Sequence, residues 1–359
     1  MHHHAPPRSW AEIDLSALQH NYRYAQQQAG GAEVMAVVKA NAYGHGYERV
    51  IRALHPLGPA FYGVANVREA REVRAIFPDA RVYLLGIANP AEYEEIVTQD
   101  YTACISSMEG LAAYSALAQQ HRRVLRVHFA LDTGMGRGGF IPESPQWQEA
   151  LQYQHPHIQV EGVGSHLPVA DEDAAFTHQQ IAHFRQQIPA GLRYQHLANS
   201  AGILDFPDSA FNLVRPGLML YGVSPLPQYQ DALRPVMRLC SRVSIVRDIP
   251  AGQGISYGRT FITTRPSRIA TVGIGYADGI PRAISGQPVN VWINGASCPI
   301  VGRVTMDQIM VDVTDHPQVT AGDTVELFGA NVPVTQLANA ARTIPWEIFT
   351  GIAPRVLRT

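Results

Sequence analysis

Apolar runs rich in β-branched residues recur through the first two thirds of the chain, and segments with helical spacing lie between them, for example at 67–76 and 109–118. The apolar runs occupy residues 34–39, 61–65, 81–87, 101–106, 124–132, 160–166, 194–199 and 212–218. Eight strand signals that alternate with helices predict a parallel (β/α)8 barrel, an α/β fold, which we place at residues 12–234.

The hydrophobic pattern changes near Arg234, where helical spacing largely ends. Short runs of Val, Ile and Thr bounded by Gly, Pro and Asn follow, at residues 289–293, 299–304, 309–313 and 324–328. This pattern predicts a predominantly β domain over residues 235–359, with one late helix after Pro333.

The composition indicates a globular protein with a small-molecule role. At 359 residues the chain is long enough for two domains with a large core. Hydrophobic residues make up 46% and charged residues 16%, which favours a folded protein over a disordered one. The net charge of −2 and the lack of a long basic stretch argue against nucleic acid as a partner.

Cysteine usage and the hydrophobic profile favour a cytoplasmic location. Cys104, Cys240 and Cys298 form no CxxC pair, which suits a reducing compartment. No apolar stretch of 18 residues and no secretory leader occurs, so we expect no membrane segment. We also expect no metal site, because the histidines at residues 2–4 look like the remnant of a purification tag.

Lys39 is the only lysine in the chain, while all other residues among the 28 lysines and arginines are arginine. It follows a buried strand signal. Burial removes hydration from an ammonium group and makes its proton easier to lose. The free amine is then a nucleophile for aldehydes and ketones. The alternative is a lysine that marks the surface end of a strand.

Several polar residues follow strand signals of the predicted barrel. In such barrels the chemistry lies at the carboxyl ends of the strands. The residues at or near these ends are Lys39, Asp132, His166, Asn199, Ser200 and Arg215. They come from different strands, and we expect them to converge on one site.

The segment at 36–46, Ala-Val-Val-Lys-Ala-Asn-Ala-Tyr-Gly-His-Gly, resembles the pyridoxal-phosphate lysine motif of alanine racemases. Six further segments resemble motifs of that family in the family's order, at 132–137, 199–200, 215–217, 256–258, 275–279 and 302–308. The resemblance implies a pyridoxal 5'-phosphate-dependent isomerase of D-alanine biosynthesis that racemises alanine. It also implies a homodimer with shared active sites, and a strand at 8–12 that joins the C-terminal domain.

The resemblance assigns a partner to each polar group of the cofactor. Lys39 would hold the aldehyde as a Schiff base, and Arg215 would face the pyridine nitrogen with His196 as its orienting residue. Arg215 could instead simply bond backbone near Pro216, and His196 could be a satisfied core histidine. The further residues implied to bind the cofactor are Tyr43, Arg137, His166, Asn199, Ser200, Gly217, Leu218 and Trp346. Ser200 could equally be the N-cap of a helix.

Racemisation requires a base on each face of the substrate Cα. The resemblance gives these roles to Lys39 and to Tyr257, which would enter the neighbouring subunit's site with His166 as its hydrogen-bond partner. A tyrosine base needs a pKa well below its usual ~10. Taken alone, a Ser-Tyr-Gly segment is typical of a turn. The substrate carboxylate would contact Arg137 and the backbone N–H of Met306. The implied entrance residues are Asp171, Tyr276, Arg282 and Asp307.

Two positions depart from the family pattern. Many members have a lysine, often carbamylated, where this chain has Ala130. We therefore expect a partly buried Arg137 balanced by chloride or by another acid. Trp346 stands where the family usually has a tyrosine that donates to the phosphate.

Three other functions remain open. A racemase for serine or for several small amino acids would use the same residues. A related decarboxylase is disfavoured by Arg215 at the position facing the ring nitrogen. Non-catalytic pyridoxal-phosphate-binding homologues lack the β domain that supplies Tyr257 and Met306.

Overall fold

The structure is a computed structural model that describes residues 7–359, so the histidines at 2–4 lie outside the described residues. The described chain divides into two compact units. A barrel unit contains residues 16–42 and 47–234, and a β-rich unit contains residues 7–15, 43–46 and 235–359. The short segment 43–46 groups with the β-rich unit, which the hydrophobic pattern did not indicate.

The strands are β1 (Ser9–Ile13), β2 (Glu33–Val37), β3 (Phe61–Val64), β4 (Val82–Leu84), β5 (Ala103–Ile105), β6 (Leu125–Ala130), β7 (Ile158–Gly164), β8 (Tyr194–His196), β9 (Leu213–Val214), β10 (Met237–Ile249), β11 (Gly254–Ile255), β12 (Phe261–Ile262), β13 (Ser267–Val272), β14 (Asn290–Ile293), β15 (Ala296–Val301), β16 (Ile309–Asp312), β17 (Thr324–Phe328) and β18 (Leu357–Arg358). The helical elements are α1 (Leu15–Gln28), α2 (Lys39–Tyr43), α3 (Tyr47–Leu54), α4 (Val67–Ile76), α5 (Tyr93–Thr98), α6 (Met108–Gln120), α7 (Pro145–Gln152), α8 (Ala174–Gln187), α9 (Ser200–Asp205), α10 (Val334–Ala341) and α11 (Pro345–Gly351).

Two parallel four-stranded sheets make up the barrel unit, in the orders β4-β3-β2-β9 and β5-β6-β7-β8. A bridge between Tyr83 and Thr102 joins β4 to the segment entering β5. The other seam is closed by the backbone bond from Arg215 N to Ala198 O, at 2.9 Å. Eight strands thus follow one another around a closed barrel, and the (β/α)8 prediction is confirmed.

Large side chains from different strands fill the interior of the barrel. Met35, Phe61, Tyr83, Tyr194 and Leu213 pack as one cluster, and none is more than 3% exposed. They come from β2, β3, β4, β8 and β9, which is the packing that inward-facing positions of a closed barrel produce. The strand ends, and the loops after them, are therefore fixed on a rigid core.

The β-rich unit is built on a sheet with the order β13-β16-β15-β14-β17-β10-β1-β18, in which β10 also pairs with β13. Most neighbours are antiparallel, and β1 pairs antiparallel with β10 and parallel with β18. The predicted predominantly β C-terminal domain is confirmed. The strand expected at 8–12 is observed as Ser9–Ile13 in this sheet. Two late helices, α10 and α11, occur where the sequence predicted one.

No helix within residues 7–359 has the length and apolar content that crossing a membrane requires.

Candidate functional site

Lys39 lies two residues beyond the end of β2, at the carboxyl end of the barrel strands. The chain before it is held on both sides, because Val37 N donates to Pro216 O at 3.1 Å and Val38 N donates to Gly63 O at 2.9 Å. The side chain of Lys39 is half-buried. Its pKa is lowered by burial first and then by the charges of Arg137 and Arg215, against an opposing effect of Glu69. The amine is therefore easier to deprotonate than an ordinary lysine.

The residues after Lys39 form a left-handed turn. Ala40, Asn41, Ala42 and Tyr43 all have φ between 52° and 55°. None is glycine, and left-handed backbone costs other L-residues on the order of 1–2 kcal/mol each. Strain of this kind persists only where surrounding contacts determine it, and it is concentrated at functional sites. The sequence pattern predicted only a loop of small and polar residues here.

Arg215 follows β9 and is buried, with 6% of its surface exposed. Nη1 donates to His196 O at 2.8 Å, and Nη2 donates to the carbonyls of Ser165 at 2.5 Å and Leu197 at 3.1 Å. Burial lowers its pKa to about 10, so the guanidinium keeps its proton at neutral pH. Arg215 does bond backbone, but to carbonyls at or just after the ends of β7 and β8 rather than near Pro216.

His196 contacts Arg215 through Nδ1 and lies 2.9 Å from Nδ1 of His128 through Nε2. Both rings are buried, and a Cβ on Gly164 would overlap the imidazole of His196. Burial and the charges of Arg81 and Arg215 lower the pKa of His128 to about 3. Burial and Arg215 hold the pKa of His196 well below its ordinary value. Sequence reasoning missed His128, whose signal was a polar residue inside the apolar run of β6.

His166 lies two residues beyond the end of β7. Its pKa is lowered to about 3 by burial and by the charges of Arg215, Arg137 and Lys39. His166 and Lys39 thus share two cationic neighbours, Arg137 and Arg215, although all four residues come from different strand ends. The structure brings these predicted residues together in the barrel unit.

The loop that carries Arg137 is organised by Asp132. Its Oδ1 accepts from Gly134 N at 3.0 Å, Met135 N at 2.8 Å and Gly136 N at 3.0 Å. Although burial opposes the shift, the backbone donors of this loop lower the pKa of Asp132. Arg137 itself is exposed in the single chain. The expectation of a partly buried Arg137 was therefore wrong for the chain by itself, because its neighbours Gly136 and Gly138 are exposed and carry no side chain that could cover it.

Ser200 joins two loops of the barrel unit. Its Oγ accepts from Gly217 N at 3.1 Å and from Met219 N at 3.3 Å. Leu218 begins the 3-10 turn that follows Gly217. The N-cap of α9 is Asn199, whose Oδ1 accepts from Gly202 N at 3.0 Å, so the alternative of Ser200 as the N-cap was wrong. Asp171 lies apart from this group as an exposed residue after β7.

In the β-rich unit, Tyr257 lies at the tip between β11 and β12. It is 69% exposed, the largest exposed fraction among the exposed large hydrophobic side chains of the described chain. Ser256, which precedes it, has φ 62° and donates from Oγ to Arg303 O at 2.7 Å. Gly258, which follows, has φ 70°, and a Cβ there would lie 2.8 Å from Nη1 of Arg303. These constraints present the phenol to the outside of the unit.

Met306 and Tyr276 lie on two loops that bond to each other. Tyr276 N donates to Thr305 O and Ala277 N donates to Met306 O, each at 3.0 Å. Both side chains are exposed, Met306 by 53% and Tyr276 by 41%.

Asp307 is tied into an ion-pair cluster of the β-rich unit. Its Oδ1 accepts from Arg355 at 2.9 Å and from Arg8 at 3.4 Å, and the same arginines bind the buried Asp278. Of the other predicted residues in this unit, Arg282 is exposed, Trp346 is half-buried on α11, and Tyr43 is buried. The cluster holds the loop of Met306 in place.

Comparisons with known proteins agree along the whole chain. The family model described as "Alanine racemase, N-terminal domain" matches residues 13–225, and that described as "Alanine racemase, C-terminal domain" matches residues 236–359. The alanine racemase of Halothermothrix orenii is 38% identical over 98% of this chain and 96% of that protein. The protein named "Alanine racemase, biosynthetic" of Pseudomonas aeruginosa is 39% identical over 97% of this chain and 98% of its own length.

Solved structures give the same result. The biosynthetic alanine racemase from Pseudomonas aeruginosa superposes with a TM-score of 0.91 at 36% identity, covering 99% of both chains. The alanine racemase from Bartonella henselae with covalently bound pyridoxal phosphate has a TM-score of 0.91 at 33% identity, again over 99% of both chains.

Proposed function

The chain belongs to the alanine racemase family, and on that basis we propose that it interconverts L-alanine and D-alanine with pyridoxal phosphate as cofactor. The observation that carries the proposal is the environment of Lys39. The sole lysine of the chain follows a barrel strand beside Arg137 and Arg215, with its pKa lowered. An amine with that property suits capture of a carbonyl carbon.

The donor set of the barrel unit fits this cofactor. Lys39 would hold its aldehyde carbon, and Arg215, a buried cation, would donate to its ring nitrogen. Ser200, Gly217 and Leu218 would hold its phosphate, with Asn199 capping the helix that begins at Ser200. His196 would orient Arg215. Tyr43 and Trp346 keep their proposed phosphate roles from the family resemblance. When bound, the cofactor supplies an electron-withdrawing ring that acidifies the Cα proton of the substrate.

Arg215 determines what proton transfer to that ring nitrogen is possible. With a pKa of about 10 the guanidinium stays charged at neutral pH, and its hydrogen atoms are donors only. It can hold a hydrogen bond to the ring nitrogen without giving it a proton. A ring nitrogen without a proton would withdraw electrons less strongly, which would limit reactions that compete with racemisation.

We assign the two proton transfers to Lys39 Nζ and to Tyr257 Oη of the partner subunit. Lys39 would act on one face of the substrate Cα and Tyr257 on the other, with His166 as the hydrogen-bond partner of Tyr257. The 69% exposure of Tyr257 supports a role toward another chain. Arg137 and the backbone N–H of Met306 would bind the substrate carboxylate. Asp171, Tyr276, Arg282 and Asp307 would line the entrance.

Further parts of this proposal rest on the family resemblance and on composition. They are a homodimer, a cytoplasmic location, a role in D-alanine biosynthesis, and a division into domains at 12–234 and 235–359 with strand 8–12. We also propose chloride beside Arg137. Because Arg137 is exposed in the single chain, burial of its charge does not support this site. The remaining argument is positive charge, since Lys39, Arg137 and Arg215 influence one another.

The test is to incubate the purified protein with pyridoxal phosphate and L-alanine and to measure D-alanine by chiral chromatography. L-Serine is run in parallel. D-Alanine formed faster than D-serine supports an alanine racemase, and the reverse ratio supports the serine alternative. If the cofactor-loaded protein forms neither D-alanine nor D-serine, the result would favour a non-catalytic binding protein and contradict the proposal.

A further inference from the structure

Glu69 binds the first residue of the left-handed turn that follows Lys39. Its Oε1 accepts from Ala40 N at 2.8 Å, and its Oε2 accepts from Ala65 N at 2.8 Å. Ala40 comes just after β2 and Ala65 comes just after β3. One carboxylate therefore links the carboxyl ends of two neighbouring barrel strands.

The local sequence explains why Glu69 points in this direction. Asn66 is the N-cap of α4, and its Oδ1 accepts from Glu69 N at 3.0 Å. A glutamate at this third helical position normally reaches back to the N-cap backbone N–H. Here it reaches one residue further, to Ala65, and across to Ala40. The start of a helix also favours a carboxylate through the helix dipole.

The contact with Ala40 opposes the strain of the turn. Left-handed backbone is unfavourable for each of the residues Ala40 to Tyr43, none of which is glycine. Two other bonds help, from Ala42 N to Val38 O at 2.8 Å and from Tyr47 N to Asn41 Oδ1 at 3.0 Å. Hydrogen bonds to a charged group are stronger than hydrogen bonds between neutral groups. Of these three hydrogen bonds to the turn, the one that the Glu69 carboxylate accepts is therefore the strongest.

Glu69 also balances the charges around Lys39. Arg137 and Arg215 lower the pKa of Lys39, and Glu69 raises it. Lys39 in turn is one of the charges that lower the pKa of His166, whose ring is neutral at neutral pH. Removing the carboxylate would leave only cationic influences on the amine.

We propose that Glu69 is a positioning residue for Lys39, which acts by clamping Ala40 and Ala65 and by supplying a negative charge that offsets the cations around the amine. The proposal rests on the proposed role of Lys39, and its test is made on the protein without cofactor. A failed test of Glu69 is then distinguishable from a failed test of racemase activity.

The variants are Glu69→Gln, Glu69→Asp and, as a matched control, Glu72→Gln, which removes the same charge from an exposed position one turn nearer the helix end. The first readout is the pH profile of trinitrobenzenesulfonate labelling of Lys39, resolved from the N-terminal amine by peptide mass spectrometry. Because the chain has one lysine, the profile reports a single side chain. The second readout is hydrogen–deuterium exchange of peptides containing Ala40 and Ala65.

For Glu69→Gln we expect the labelling midpoint to fall by about half a pH unit or more, since the charge that raises the pKa is removed. An amide oxygen can accept from only one of the two N–H groups, so we also expect exchange at Ala40 or Ala65 to be about tenfold faster. Glu69→Asp keeps the charge but is too short to span both strands. The Glu69→Asp variant should keep the wild-type pH midpoint of Lys39 labelling and should lose protection from hydrogen exchange at Ala40 or Ala65.

Glu72→Gln should match the wild type in both readouts. An unchanged or higher midpoint in Glu69→Gln, or the same fall in Glu72→Gln, would overturn the charge role. Wild-type exchange in Glu69→Asp would overturn the clamp, and that variant decides the matter if Glu69→Gln fails to fold.

Discussion

Nε2 of His196 lies 2.9 Å from Nδ1 of His128 in the interior of the barrel, and this contact fixes the direction of a hydrogen-bond chain. Arg215 contacts Nδ1 of His196 and can only donate, so that nitrogen accepts. His196 then carries its proton on Nε2 and donates to His128. His128 in turn carries its proton on Nε2, which has no hydrogen-bond partner within residues 7–359.

Aromatic rings surround the imidazole of His128. The rings of Phe61, Tyr83 and Tyr194 have centroids 5.6, 4.9 and 5.5 Å from that of His128. The hydrogen-bond chain therefore runs from the charged guanidinium of Arg215 through His196 to His128. It ends in an apolar core that favours neutral histidines.

Replacing His128 with phenylalanine should destabilise the protein by about 1–3 kcal/mol, because Nε2–H of His196 loses its acceptor in a buried site. His128→Asn keeps an acceptor close to the position of Nδ1 and should recover part of that loss. Denaturant unfolding of the cofactor-free protein measures both variants. Equal free energies of unfolding for His128→Phe and His128→Asn would show that the acceptor for Nε2–H of His196 does not matter for stability.

Acid should weaken the fold through the same histidines. The folded-state pKa of His128 is about 3. The unfolded value is ~6.5. Between these values the unfolded chain binds the extra proton, so stability is full above the unfolded pKa and falls as the pH decreases. Between the two pKa values, the free energy of unfolding should fall by about 1.4 kcal/mol per pH unit for each such histidine. Unfolding measured from pH 7 to 5 should show a shallower slope for His128→Phe, and parallel curves would contradict this explanation.

The ends of the barrel strands could be predicted well from the sequence, because apolar β-branched runs mark the strands. In (β/α)8 barrels the functional residues follow the carboxyl ends of those strands. Lys39, His166 and Arg215 could be found in this way. Glu69 was missed, because a capping-box glutamate normally acts within its own helix. The left-handed turn was missed because left-handed backbone is usually signalled by glycine, and these residues are held there by contacts from elsewhere in the chain.

His128 and α11 were missed for other reasons. A single histidine within an apolar strand carries no local signal of its partners, since His196 is distant in the sequence. Pro345 at the first turn of α11 is a start signal, but the helix has only seven residues and little periodicity. The exposure of Arg137 depends on the path of its glycine-rich loop, which the hydrophobic pattern does not specify.

If Tyr257 serves the partner's site, inactive Lys39→Ala and Tyr257→Ala subunits should complement each other. Each mixed dimer would have one intact and one doubly damaged site. Random exchange should therefore restore roughly a quarter of wild-type activity, because half of the dimers are mixed. Lys39→Ala subunits exchanged among themselves are the control. Absence of recovery after demonstrated exchange would argue against a shared site.

Chloride should affect activity or cofactor affinity at constant ionic strength if it takes the place of the family's carbamylated lysine beside Arg137. Ala130→Lys should weaken that dependence if the new lysine is carbamylated. Kinetic titration of chloride against a bulky non-binding anion measures the effect. Identical kinetics in both anions would exclude a chloride site.

The central claim is that Lys39 is the residue through which the chain binds its cofactor and racemises alanine. The direct measurement is borohydride reduction of the cofactor-loaded protein, followed by peptide mass spectrometry and an assay of D-alanine formation, with Lys39→Ala treated alongside. We predict that the reduced cofactor is found on the Lys39 peptide, that reduction abolishes racemisation, and that Lys39→Ala has neither the visible absorbance nor activity. A yellow and active Lys39→Ala protein, or a cofactor found only on the N-terminal amine, would contradict the account.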